Sequence, residues 1–150
     1  MSDRPEPITL SARPAPPRTP AVEISPREIG LLVDRFYAAI RVHPRLGPLF
    51  EERLAGRWDP HLERMNLFWR SVLLYSGEYS GQPVAKHNAL PDLREDDFRL
   101  WLELFETTTA NLFAPPTAAP IVIIARRIAR SLWLARFGSP FNRAPDWLEQ

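Results

Sequence analysis

The chain has 150 residues, 45% of them hydrophobic, a formal net charge of +1 and no cysteine. That length supports one compact domain with a sizeable core and leaves little room for a second. Without cysteine there are no disulfides and no thiolate ligands for zinc or iron–sulfur clusters, so any metal must be held by nitrogen or oxygen. No basic stretch alternates with aromatic residues, which argues against nucleic acid and for small uncharged partners.

Prolines at positions 5, 7, 14, 16, 17 and 20 mark residues 1–24 as an extended, solvated, disordered tail. Pro17-Arg18-Thr19-Pro20 matches the spacing of a polyproline-groove ligand, a match that proline-rich sequence produces often by chance. There is no apolar segment of signal-peptide length, and the longest purely apolar run, Ile121 to Ala125, is too short to span a bilayer. The expectation is a cytoplasmic protein that does not engage membranes.

At Ser25-Pro26-Arg27-Glu28 the pattern changes. Serine is a good N-cap, proline suits the first helical position, and Glu28 stands where a capping box needs it. Ile29, Leu32, Val33, Phe36, Tyr37 and Ile40 then recur at helical spacing up to His43-Pro44. Leu46-Gly47-Pro48-Leu49-Phe50, with Gly56 beyond it, reads as a connection with apolar anchors, and His43 as a surface residue. Asp59-Pro60 repeats the cap-then-proline signal and opens a helix to about Tyr75, with His61, Met65, Phe68, Trp69 and Val72 on one side.

A break at Tyr79-Ser80-Gly81 precedes a short helix from Pro83, bracketed by Pro91, which carries Lys86 and His87. Another helix runs from Asp92 or Arg94 to Phe113, its first turn enriched in acid by Glu95, Asp96 and Asp97. Ala114-Pro115-Pro116-Thr117 reads as a linker and Pro120 as the start of a last helix, stopped at Gly138-Ser139-Pro140. Phe141 and Trp147 are candidates to dock back from a C-terminal extension over 138–150. No segment shows sustained strand alternation, so the chain is all-α.

A neutral imidazole on a proline-bracketed helix is a good single axial ligand for a haem iron, and His87 is so placed. Inward-facing Tyr37, His61 and Trp101 supply hydroxyl, imidazole and indole donors of the kind that stabilise a partly negative diatomic ligand. Each residue also has a plainer role open to it. His87 fits a surface helix end, His61 a satisfied pocket-rim histidine, and Tyr37 and Trp101 core aromatics whose polar tips find backbone partners.

Several motifs taken together resemble the third group of truncated haemoglobins over about residues 25–137. They are Phe36-Tyr37, Leu46-Gly47-Pro48-Leu49-Phe50, Trp58-Asp59-Pro60-His61, Phe68-Trp69, Tyr79-Ser80-Gly81-Gln82-Pro83, Lys86-His87, Leu90-Pro91 and Trp101-Leu102-Glu103-Leu104-Phe105. The resemblance implies a two-on-two helical sandwich holding haem b non-covalently. His87 would be the proximal iron ligand, with Tyr37, His61 and Trp101 facing the bound ligand. Phe36, Met65 and Phe68 would line the pocket, and Arg64 and Lys86 would stand near the propionates. Two positions depart from the family pattern: His43 stands where an acidic residue is common, and Met65 where a branched aliphatic is usual.

The implied function is binding of dioxygen, nitric oxide or another diatomic molecule. Several donors around one ligand slow its escape, which suits redox turnover of nitric oxide or peroxide better than bulk transport. Such turnover requires an outside reductase, since no flavin or nicotinamide fingerprint is present. The competing expectations are a haem-based sensor acting through a protein partner and a haem-free helical interaction protein.

Overall fold

The computed structural model describes residues 22–77 and 92–149. Six helices are present among them: α1 (Pro26–Val42), α2 (Leu46–Leu54), α3 (Trp58–Leu74), α4 (Glu95–Leu112), α5 (Pro115–Phe137) and α6 (Asp146–Glu149). No β-strand occurs among the described residues; Ser139 and Asn142 form an isolated antiparallel bridge. The helix expected to start at Pro83 lies outside the described residues.

Helix α1 begins as its sequence dictates. The Ser25 hydroxyl accepts from the Glu28 backbone N–H at 3.1 Å, and the Glu28 carboxylate accepts from the Ser25 N–H at 3.0 Å. Two of the helix's orphan donors are thus satisfied by one reciprocal pair. Ile29, Leu32, Val33, Phe36, Tyr37 and Ile40 form the buried stripe. Against that stripe pack α2, α3 and α4, while α5 lies on α4 and α6 on α5.

The described residues begin slightly ahead of Ser25. Val22 and Ile24 are buried within the core, so the solvated character read over residues 1–24 does not extend to these two. At the other terminus Leu148 is buried and Trp147 packs against the core, while Phe141 is 98% exposed and does not dock.

Three element boundaries differ from the sequence expectation. The segment read as a connection is helix α2, because Pro48 falls in its first turn, where the missing N–H has no intrahelical partner to lose. Gly47 is required there by close packing: a Cβ would stand 2.7 Å from the Arg41 carbonyl oxygen. Helix α3 starts at Trp58, so Asp59 sits in the first turn and favours the helix dipole instead of capping. Helix α5 starts at Pro115, which shortens the linker and leaves Pro120 inside the helix, near enough to its start that one lost backbone bond is tolerated.

A polar joint ties the α1–α2 corner to the start of α4. The Arg45 guanidinium donates from Nε to Asp97 Oδ1 at 2.9 Å, from Nη2 to Asp97 Oδ2 at 2.9 Å, and from Nη2 to the Asp92 carbonyl at 2.8 Å. Asp97 is 3% exposed and also accepts from the Arg94 backbone N–H. Hydrogen bonding to Asp97 holds the Arg45 guanidinium charged even more firmly than usual. His43, expected at the surface, is half-buried; its Nδ1 accepts from the backbone N–H of Arg45 and Leu46 at 3.1 and 3.0 Å. It satisfies donors at the start of α2, which is chemistry an acidic side chain at that position performs equally well.

The two halves of the Arg45–Asp97 pair are unequally buried, at 31% and 3% side-chain exposure. Arg45→Ala leaves a buried carboxylate unpaired and is expected to cost about 3 kcal/mol. Asp97→Asn leaves a guanidinium that water can reach and is expected to cost about 1–2 kcal/mol. Urea unfolding of both variants checks the order of the two losses.

Candidate functional site

The aromatic side chains of α1, α3 and α4 meet at Phe36. Its ring is 5.2 Å from Tyr37, 5.3 Å from Trp101 and 5.1 Å from Phe105, edge-on to each. Trp101 in turn stacks on Phe105 at 5.5 Å, and Phe105 stacks on Trp69 of α3 at 5.0 Å. Phe36 and Phe105 are each 1% exposed, so this junction is core. Trp101 is only half-buried and forms its outer margin.

On the other side of Phe36, buried Tyr37 stands edge-on to the imidazole of His61, with ring centroids 5.1 Å apart. Phe50 of α2 and Trp58 at the start of α3 each approach Tyr37 at 6.4 Å. Trp58 also meets His61 at 6.4 Å, its Nε1–H donates to Glu51 Oε2 at 2.7 Å, and the Arg41 guanidinium lies 4.5 Å above its ring. Tyr37 and His61 are therefore direct neighbours, and Trp101 joins them through Phe36.

From His61 a stripe of half-buried residues runs along α3 through Met65, Phe68 and Val72, at steps of three and four. Half-buried Leu100, Trp101 and Leu104 stand on α4, and Trp69 on Phe105 is where the two helices touch. All six apolar side chains pack on the core without being enclosed by it. An imidazole and a phenol at the head of a half-buried apolar stripe suit a flat, mostly apolar group with one polar centre, as haem is.

Exposed Arg64 flanks the α3 stripe and lines a groove with Arg27, Glu63 and Arg70. His87 and Lys86 lie outside the described residues.

Known proteins of the same shape decide the family. The chain is 36% identical over 86 residues to the group 3 truncated haemoglobin ctb of Campylobacter jejuni, covering 55% of this chain and 68% of that protein. The chain belongs to the group III truncated haemoglobins. The crystal structure of the group III truncated haemoglobin from Campylobacter jejuni superposes with a TM-score of 0.72 at 28% identity, covering 80% of this chain and 95% of that one. No family model matches. The all-α architecture is thus a truncated globin fold, and the protein is a globin of the haem-binding kind. Among the described residues no helix is long and apolar enough to cross a membrane.

In this truncated haemoglobin, Phe50 and Trp58 stand around Tyr37 and His61 although neither was expected as a site residue. For Trp58 the signal was available: it precedes His61 by three residues on one helix, so the two share a face. Phe50 was hidden by the proline and glycine that disguise α2.

Trp58 is expected to hold the Tyr37–His61 pair by ring contact more than by its hydrogen bond. Trp58→Phe is expected to cost about 1 kcal/mol, since exposed Glu51 rehydrates freely. Trp58→Ala removes the ring and is expected to cost about 3–5 kcal/mol. Thermal and urea unfolding of the two variants separate the contributions.

Proposed function

We propose that the protein holds haem b non-covalently in the cleft between α3 and α4, ligated by His87, and binds a diatomic molecule such as dioxygen or nitric oxide beside Tyr37, His61 and Trp101. The observation that carries this is the buried Tyr37 ring set edge-on to His61 at 5.1 Å, at the head of the half-buried apolar stripe of α3. When bound, haem supplies a redox-active iron with a position open to a small ligand.

The chain's own residues do the rest. Met65 and Phe68 present apolar surface that excludes water, while Phe36 supports Tyr37 and Trp101 from behind. The Tyr37 hydroxyl donates a hydrogen bond to a ligand that has gained negative charge, and its buried setting strengthens that bond. His61, half-buried on the first turns of α3, serves as a second donor or swings out to admit ligand. Arg64, with Lys86 from the segment outside the described residues, balances carboxylate charge at the cleft edge.

Strong retention favours chemistry over carriage. Dioxygen, nitric oxide and one electron balance to nitrate; hydrogen peroxide, two electrons and two protons balance to two waters. Either conversion draws electrons from a separate reductase.

Purified protein loaded with haem is expected to show a Soret band that shifts on reduction and again with carbon monoxide, and no such band would sink the proposal. His87→Gly is expected to lose stable haem or to require added imidazole; unchanged iron coordination by resonance Raman spectroscopy would overturn the ligand assignment. Tyr37→Phe is expected to speed dioxygen release by about tenfold or more, the equivalent of one charge-assisted hydrogen bond. Stopped-flow measurement of the off-rate checks it. Stopped-flow mixing of the reduced, dioxygen-equilibrated protein with nitric oxide, with nitrate as the product assayed, tests the turnover.

A further inference from the structure

Helices α1 and α3 pack on each other, and an open groove follows their junction. Arg27 and Gly30 border it from α1, and Glu63, Arg64, Leu67 and Arg70 from α3. Glu63, Leu67 and Arg70 recur at steps of four and three, so they share one face of α3. At helical spacing that face is nearly opposite the stripe of His61, Met65, Phe68 and Val72, with Arg64 between the two. The groove and the stripe are therefore about one helix diameter apart, ~10 Å.

Three arginines against one glutamate give the groove an excess of two positive charges, where the whole chain carries +1. Arg45, Arg99, Arg126 and Arg130 each face a carboxylate, whereas Arg27 and Arg64 form no ion pair with another described residue. Both are exposed, so two guanidinium groups stand ready for an incoming anion. Their donors form a fork that matches carboxylate geometry.

Sites for small molecules enclose the ligand mostly with apolar side chains. Here four of the eight lining residues are charged, and Arg27, Glu63 and Arg64 are exposed. Leu31, an exposed leucine one turn beyond Arg27, and half-buried Leu67 add apolar contact among the arginines. Arginine with apolar residues is the composition of a protein interface. The matching occupant is a protein face rich in aspartate and glutamate.

We propose that this groove docks an acidic protein that carries single electrons and reduces the ferric iron across α3. One electron leaves the carrier and is taken up by the iron, with no atom transferred. The inference rests on the haem-binding function proposed above, whose turnover requires such a donor. Charge complementarity of this kind acts chiefly on the rate of encounter and makes that rate sensitive to salt.

Flavodoxin, an acidic flavin-containing carrier, is the probe. Stopped-flow reduction of the ferric, haem-loaded protein by reduced flavodoxin is expected to slow about tenfold as salt rises from about 20 to about 200 mM. Arg27→Glu and Gly30→Glu are each expected to slow it several-fold at low salt, and Glu63→Gln to quicken it. A Cβ at Gly30 makes only ordinary contact, 3.5 Å from Asn66 Oδ1, so the new side chain enters the groove without displacing α1. Reduction by dithionite, a small reductant that needs no docking, is expected to vary far less among the three variants.

Titration with oxidised flavodoxin is expected to shift the amide NMR signals of α1 and α3 residues around the groove. Flavodoxin that binds elsewhere or not at all, or reduction rates indifferent to salt and to all three substitutions, would overturn the docking surface. Sedimentation with phosphatidylglycerol vesicles in the absence of flavodoxin binding would assign the groove to membranes and overturn it as well. Failure to take up haem would instead overturn the function proposed above, so the two failures are distinguishable.

Discussion

Phe36 is the point through which the rest of the molecule communicates. Its ring takes the edges or faces of Tyr37, Trp101 and Phe105, and through Phe105 it reaches Trp69. Close-packed interiors transmit displacement instead of absorbing it. The separation of α3 and α4, and with it the width of the cleft, is therefore set by aromatic volumes on α1. Aromatic pairs of this geometry add about 0.5–1.5 kcal/mol each beyond area burial, with a preferred angle as well as a preferred distance.

At the opposite end the same helix is anchored by polar contacts. His43 closes α1, and Arg45, the residue just before α2, reaches Asp97 across 52 residues of sequence. An acidic first turn on α4 suits the dipole on general grounds, yet only Asp97 of the three acids is buried. Its burial is tolerable because three N–H groups face it.

What could be read in the sequence followed from periodicity and capping. The α1 stripe, its capping box and the inward positions of Tyr37, His61 and Trp101 rest on spacing within one helix, and spacing survives folding. Helix α2 was hidden because proline and glycine signal a break unless their position in the first turn is known. The start of α5 was hidden for the same reason. The roles of His43, Phe50 and Asp97 depend on partners distant in sequence or on backbone donors created only once the corner has formed. No local pattern encodes those.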